Sequence, residues 1–228
     1  MMKAPELLVP AGNLEKLRTA ILYGADAVYT GVEGLSLRAT RAEMTMAELA
    51  EGVRLAHQRK VKVYAAMNIF ARNSDLALVR QRAGELAEIG VDAVILSDPG
   101  VLAIIRQAAP RLPAHLSTQA NTTNAAAVRF WHGLRVNRIV LARELSLGEI
   151  GEIAAAVPEV ELEIFAHGAM CLAYSGRCLL SAYLTGRSAN RGECTHPCRW
   201  EYTFTERTRL EEPLALTGDE RYSYLLSA

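Results

Sequence analysis

The chain has 228 residues, half of them apolar and 6% aromatic, and its 25 Lys and Arg are balanced by 25 Asp and Glu. Zero formal charge excludes a general electrostatic pull toward nucleic acid or anionic membrane, so any such partner must be held by a local patch. The length suits one large domain with a well-packed core, and no window nears the roughly 18 uninterrupted apolar residues of a membrane span. Pro5, Glu6, Pro10, Gly12 and Asn13 interrupt the N-terminus, which lacks the apolar run of a signal peptide. The expected compartment is therefore the cytoplasm, where thiols stay reduced.

Short apolar runs alternate with helical patterns from the first residues. Leu7-Leu8-Val9 predicts a strand ending at Pro10-Ala11-Gly12, and Asn13 predicts an N-cap for a helix to Tyr23, stopped by Gly24. Ala27-Val28-Tyr29 predicts the next strand. The phrase Gly24-Ala25-Asp26-Ala27-Val28 returns as Gly90-Val91-Asp92-Ala93-Val94, each copy reading as a helix-ending glycine, a turn and a buried strand. Further strands are expected from Val61 to Ile69, Ala93 to Ser97, Leu116 to Gln119, Arg138 to Ala142 and Leu162 to Ala166. Amphipathic helices fill the gaps from Met46 to Arg59, Leu76 to Ile89, Val101 to Ala108, Asn124 to Trp131 and Leu147 to Ala156, with Ser146 and Glu149 forming a capping box.

Strict βα alternation predicts a parallel sheet with helices outside it. Pro-Ala-Gly-Asn-Leu after the first strand is not the glycine-rich phosphate turn of a doubly wound open sheet. The expected fold is therefore an α/β, TIM-like (β/α) barrel, closed or nearly closed, with seven βα units. The barrel body would span residues 1–166, a four-cysteine segment 167–204 and a C-terminal extension 205–228.

A barrel of this kind keeps its chemistry at the C-terminal ends of its strands. Tyr29, Asn68, Ser97 with Asp98, Gln119 with Asn121, Arg143 with Glu144, and His167 fall there, and Arg38 follows the second strand. Polar residues collect at any strand end that meets water, so no one of them is diagnostic. Together, Asn68, Gln119, Glu144 and His167 are expected to open onto one cavity. Glu163 reads as a structural residue inside the seventh strand; His57, His115 and His132 read as ordinary helix or strand positions. No Ser-His-Asp or Cys-His pattern is evident.

All four cysteines lie late, as Cys171, Cys178, Cys194 and Cys198, with the spacing Cys-x6-Cys-x15-Cys-x3-Cys. Four clustered thiols in a reducing compartment point to metal rather than disulfides. Tetrahedral zinc and a cubane iron–sulfur cluster both take four thiolates. Structural zinc favours shorter ligand gaps than x6, although His196 keeps a mixed Cys/His set open. Arg177, Arg187, Arg191 and Arg199 give this segment a local basic excess. That excess is read equally as compensation for thiolate charge or as a grip on phosphate or carboxylate.

The run Ala169-Met170-Cys171-Leu172-Ala173-Tyr174-Ser175-Gly176-Arg177-Cys178-Leu179-Leu180-Ser181 resembles the signature of the collagenase-like peptidase family U-32. Glu6-Leu7-Leu8 with Pro10-Ala11-Gly12, the Gly24 to Tyr29 phrase and Arg143-Glu144-Leu145-Ser146 resemble it too, and the likeness runs from about residue 5 to about residue 204. Ser36-Leu37-Arg38, His115-Leu116-Ser117 with Gln119-Ala120-Asn121, and Cys198-Arg199-Trp200-Glu201-Tyr202 resemble the branch that hydroxylates wobble uridine of tRNA at carbon 5. That resemblance implies an RNA hydroxylase with tRNA as partner and prephenate as a small-molecule co-substrate. It also implies a 4Fe–4S cluster on Cys171, Cys178, Cys194 and Cys198, zinc being the alternative metal. Arg38, Asn68, Gln119, Asn121, Glu144, His167 and Arg177 are the candidate substrate-binding residues. The readings set against it are a collagenase-like peptidase, for which no nucleophile with its base is recognisable, and a non-catalytic RNA-binding barrel stabilised by zinc. Family members continue past the segment that resembles Asp219-Glu220-Arg221 into a strand that closes the barrel. Tyr222 to Leu226 stands there in this chain, which is therefore expected to be truncated relative to its family.

Overall fold

Helices in the computed structural model begin where a short polar side chain can accept the N–H groups of a first turn. The model describes residues 4–37, 43–168, 171, 173, 177–200, 202–206, 208–218 and 223–226. Asn13 accepts from Lys16 N ahead of α1 (Leu14–Leu22), and Thr45 with Glu48 forms a capping box on α2 (Met46–Gln58). Helix α3 (Leu76–Ile89) ends at Gly90, whose φ of 81° favours a residue without a Cβ. Asp98 accepts from Val101 N to start α4 (Pro99–Ala108), Asn124 caps α5 (Ala125–Gly133), and Ser146 with Glu149 boxes α6 (Leu147–Ala156).

Between them run β1 (Leu8–Pro10), β2 (Ala27–Val32), β3 (Glu43–Met44), β4 (Lys62–Ala66), β5 (Ala93–Leu96), β6 (Ala114–Leu116), β7 (Arg138–Val140) and β8 (Glu161–Glu163). All pairings among them are parallel, in the order β1-β2-β4-β5-β6-β7-β8, with the two-residue β3 added beside β2. The seven expected strands are present, and they form a TIM-like half-barrel with helices on its outer face. Several strand ends differ from expectation, among them the seventh, which stops at Glu163 rather than Ala166. The third strand stops at Ala66 rather than Ile69, and the fifth spans Ala114–Leu116, after which Thr118–Ala120 turns as a 3-10 helix into Asn121 at φ 53°.

The repeated Gly-x-Asp-Ala-Val phrase has one structural job in both copies. Asp26 donates its N–H to Leu7 O and accepts Leu7 N–H on its carboxylate at 2.8 Å; Asp92 does the same with Val63, at 2.7 Å to the carboxylate. Asn137 repeats the clasp on Ala114. An acceptor placed just before β2, β5 and β7 thus ties each of these three to the start of the strand beside it.

Alternation along the strands separates two cores. Val28, Val63, Ala65, Val94, Leu96, Leu116 and Ile139 pack outward against helix residues such as Leu17, Leu49, Leu86, Ile105 and Ile153. Ala27, Tyr64, Ala66, Ala93 and Ile95 face inward with Tyr29, which lies within β2 rather than at its end.

The unit Met1–Thr195 contains all of this; a second compact unit is His196–Ala228. In the second, β9 (Phe204–Glu206), β10 (Arg209–Gly218) and β11 (Ser223–Leu226) form an antiparallel sheet in the order β11-β10-β9. Ser223–Leu226 therefore does not join the parallel sheet as a closing strand. It pairs with β10 from Gly218↔Ser223 to Ala215↔Leu226, as expected of successive strands with a short connection. Among the described residues, no helix is long and apolar enough to cross a membrane.

Candidate active-site cleft

The loops after β4, β5 and β6 meet a late segment of the first unit at an open cleft of about 80 Å³ lined by Leu37, Asn68, Phe70, Ser97, Asp98, Gln119, Arg177 and Asn190, among others. Asn68 leaves β4 two residues past its end and accepts Leu37 N–H at 3.2 Å. Its Nδ2 donates to Gln119 Oε1 at 3.2 Å, and the Ser117 hydroxyl donates to the same oxygen. Arg177 enters from the cysteine segment, with Nε donating to Gln119 O at 3.0 Å. Asp98 carries its carboxylate to the rim, but Oδ1 is engaged by Val101 N at 2.9 Å.

The late segment is docked by specific bonds. Phe70 N–H donates to Asn190 O at 3.1 Å, and Asn190 Oδ1 accepts Cys178 N–H at 3.0 Å. Arg191 grips Asp75 with both terminal nitrogens, at 2.9 and 3.2 Å, and also donates to Phe70 O. The hydrogen bonds from Arg191 outweigh partial burial and hold the Asp75 carboxyl below its usual range. Sequence reading missed Asn190 and Phe70. Their partners lie more than a hundred residues away, and nothing in the local pattern marks them.

A second cavity, of about 220 Å³, opens beside the ends of β7 and β8. It is lined by Arg143, Leu145, Leu147, Ile164, Phe165 and His167 with their neighbours, and among the described residues no acidic side chain contributes to it. The Arg143 guanidinium lies 4.0 Å over the Phe165 ring. Asn68 and Gln119 thus share a cleft with Arg177, whereas His167 lines the other cavity and Glu144 lines neither. Asn121 follows the 3-10 turn that carries Gln119, and Arg38 lies outside the described residues.

Cys171, Cys178 and Cys194 belong to the first unit and Cys198 to the second. All four are free thiols; Cys194 is exposed and the others are half-buried. As a donor set, four free thiols with no disulfide fit an iron–sulfur cluster or zinc. Among the described residues, no three His, Cys, Asp or Glu side chains are grouped as a metal site.

Fold and cleft together define the class: a TIM-like (β/α) protein with a polar site at the C-terminal ends of its strands. The model of peptidase family U32 matches residues 12–228, and the chain belongs to that family. It is 48% identical over 205 residues to tRNA hydroxylation protein P of Escherichia coli, covering 90% of this chain and 45% of that protein. It is 39% identical over 201 residues to the 23S rRNA 5-hydroxycytidine C2501 synthase of Escherichia coli, covering 88% of this chain and 30% of the relative. The chain thus spans about half the length, or less, of these curated relatives. Among solved structures, the U32 peptidase Mk0906 superposes with a TM-score of 0.56 at 19% identity, over 72% of this chain and 70% of that one. That likeness concerns the fold.

Proposed function

We propose that this chain is the barrel portion of an RNA hydroxylase that adds oxygen at carbon 5 of wobble uridine in tRNA, in the cytoplasm, with prephenate as a linked co-substrate. The observation that carries the reading is the 48% identity to tRNA hydroxylation protein P over 90% of the chain. The cleft supports it: amide and guanidinium groups gather where a β/α barrel presents its loops. A small organic anion such as the co-substrate suits the second cavity, where Arg143 stands among apolar walls without an acidic neighbour in the lining.

Cys171, Cys178, Cys194 and Cys198 are the ligands we assign to a 4Fe–4S cluster. Such a cluster supplies one-electron chemistry when bound. The chain's own contribution is to bind and orient the base, through Asn68, Gln119 and Arg177, beside the segment that bears three of those thiols.

Deleting the full-length gene should remove 5-hydroxyuridine and its derivatives from wobble positions, and restoring the gene should return them. Unchanged tRNA nucleosides, together with peptide cleavage by the purified protein, would replace this reading with proteolysis.

A further inference from the structure

We infer that Gln119 is a specificity-determining residue: its side-chain amide is locked with the N–H end toward the cleft, so the site accepts a carbonyl oxygen and rejects an amino group on the base edge it meets. Uracil is thereby selected over cytosine. The inference deepens the RNA-hydroxylase reading and rests on it.

The lock follows from what each group is able to do. Leu37 N–H is a backbone donor and nothing else, so the Asn68 atom facing it at 3.2 Å must be the oxygen. Asn68 therefore presents its NH2 to Gln119, and the Gln119 atom that receives it at 3.2 Å must also be the oxygen. Ser117 donates to that same oxygen, which then holds two donors. Turning the Gln119 amide over would set NH2 against NH2 and leave the Ser117 proton without its acceptor. Nε2 is the end that remains. It makes no hydrogen bond among the described residues and is not among their buried unpaired atoms, so it is open to the cleft that Gln119 lines.

The surroundings share this polarity. Arg177 is anchored through Nε on Gln119 O, which leaves its terminal nitrogens as further donors at the cleft. The acidic residue in the lining, Asp98, has Oδ1 engaged in starting α4. At the position that separates the two pyrimidines, the 4-oxo group of uracil accepts and the 4-amino group of cytosine donates. The donors offered by Gln119 and Arg177 pair with the first. Against the second they leave N–H facing N–H, and rejection of that kind is larger than a shape difference of the same size achieves.

The test uses full-length protein and two anticodon stem-loop RNAs that differ only in U or C at the target position, with binding followed by fluorescence anisotropy. Wild type should favour the U form by about 10- to 100-fold. Gln119→Glu keeps one oxygen for Asn68 and Ser117 and turns the other into an acceptor at the cleft, so the U:C ratio should collapse toward or below one. Ser117→Ala removes one of the two donors that hold the amide and should lower the ratio part of the way. A thermal melt of each variant confirms folding, and the ratio is a readout that a merely structural role would leave in place. If wild type binds both RNAs equally, or if Gln119→Glu keeps the wild-type ratio, the inference fails while the RNA reading stands. If neither RNA binds and gene deletion leaves tRNA nucleosides unchanged, the RNA reading itself fails.

Discussion

Glu6 and Arg138 stand 132 residues apart in sequence, and their side chains meet at 2.6 Å on the inner side of the sheet. Glu6 precedes β1 and Arg138 opens β7, while β1 and β8 are the two ends of the strand path. Arg138 also bonds Glu161 at 2.7 Å and lies 3.6 Å from Glu163, both on β8. Lys62 and Tyr64 of β4 add bonds to Glu6 at 2.9 and 2.8 Å. A guanidinium therefore links the two ends of the half-barrel, which share no backbone pairing among the described residues.

Arg138→Met should destabilise the first unit by about 3 kcal/mol, because it leaves Glu6 and Glu163 without their main cation. Glu6→Gln should cost less, about 1–2 kcal/mol, since Arg138 keeps Glu161. Urea unfolding of each variant measures both. Equal, small losses would mean that the two ends are held by something other than this clasp.

The same cluster sets an acid limit. His115 is buried edge-on to Tyr64, with ring centroids 4.6 Å apart, and burial followed by the Arg138 charge lowers its pKa to about 3. Burial tends to raise Glu6, but bonds from Arg138, Lys62 and Tyr64 outweigh it and hold the carboxyl at about 2. Both pKa values are lower folded than unfolded, so the unfolded chain takes up protons first. Stability should fall below about pH 6.5 through His115 and again below about pH 4.5 through Glu6. Glu163, raised by burial against the pull of Arg138, acts in the opposite sense above about pH 4.5 and softens the first limb. His115→Phe should flatten the urea midpoint between pH 6.5 and 4.5 while leaving the lower limb in place. An unchanged slope in that variant would assign the upper limb to another group.

Much of this fold is legible because local signals agree with one another. Asn13 and Ser146 cap helices where the pattern predicts caps, and the Asp26 and Asp92 phrases open strands where they should. The inner cluster is not legible in the same way. Lys62, Arg138 and Glu161 each look like a charged residue at an ordinary strand start, and only parallel register brings those starts together. His115, which reads as a routine strand histidine, is buried there for the same reason. In the cleft, Asn68 and Gln119 are marked by their place at strand ends. The split between their cleft and the one holding His167 depends on loop paths that no periodicity encodes.

The forked contact between Arg191 and Asp75 makes a local prediction about the cysteine segment. Arg191→Ala removes three hydrogen bonds to the loop after β4 and to Asp75, and should speed trypsin cleavage at Arg187 severalfold. Arg191→Lys keeps the charge but not the planar fork, so it should rescue only in part. The melting temperature should move little, because the pair is partly exposed and worth about 1 kcal/mol or less. Unchanged cleavage in Arg191→Ala would show that the backbone bond between Phe70 and Asn190 holds the segment without help.

The cysteines carry the last prediction. Every cysteine lies between residues 171 and 198, none belongs to the buried core, and Cys178 is held by Asn190, a residue of the cleft. Cys178 is thereby tied, through its backbone N–H, to a residue that lines the cleft. If they hold a 4Fe–4S cluster, losing one leaves an iron without its protein ligand and open to oxidative loss. Ala at any one of Cys171, Cys178, Cys194 or Cys198, in full-length protein purified without oxygen, should therefore bleach most of the visible absorbance and abolish tRNA hydroxylation. Far-UV circular dichroism should change little, because the core of the barrel is built without these side chains. Iron, sulfide and zinc analysis of the wild type separates the two metals: iron matched by labile sulfide supports the cluster, and a colourless zinc protein overturns it. Variants that lose the metal yet still hydroxylate tRNA would make it structural and remove it from the reaction.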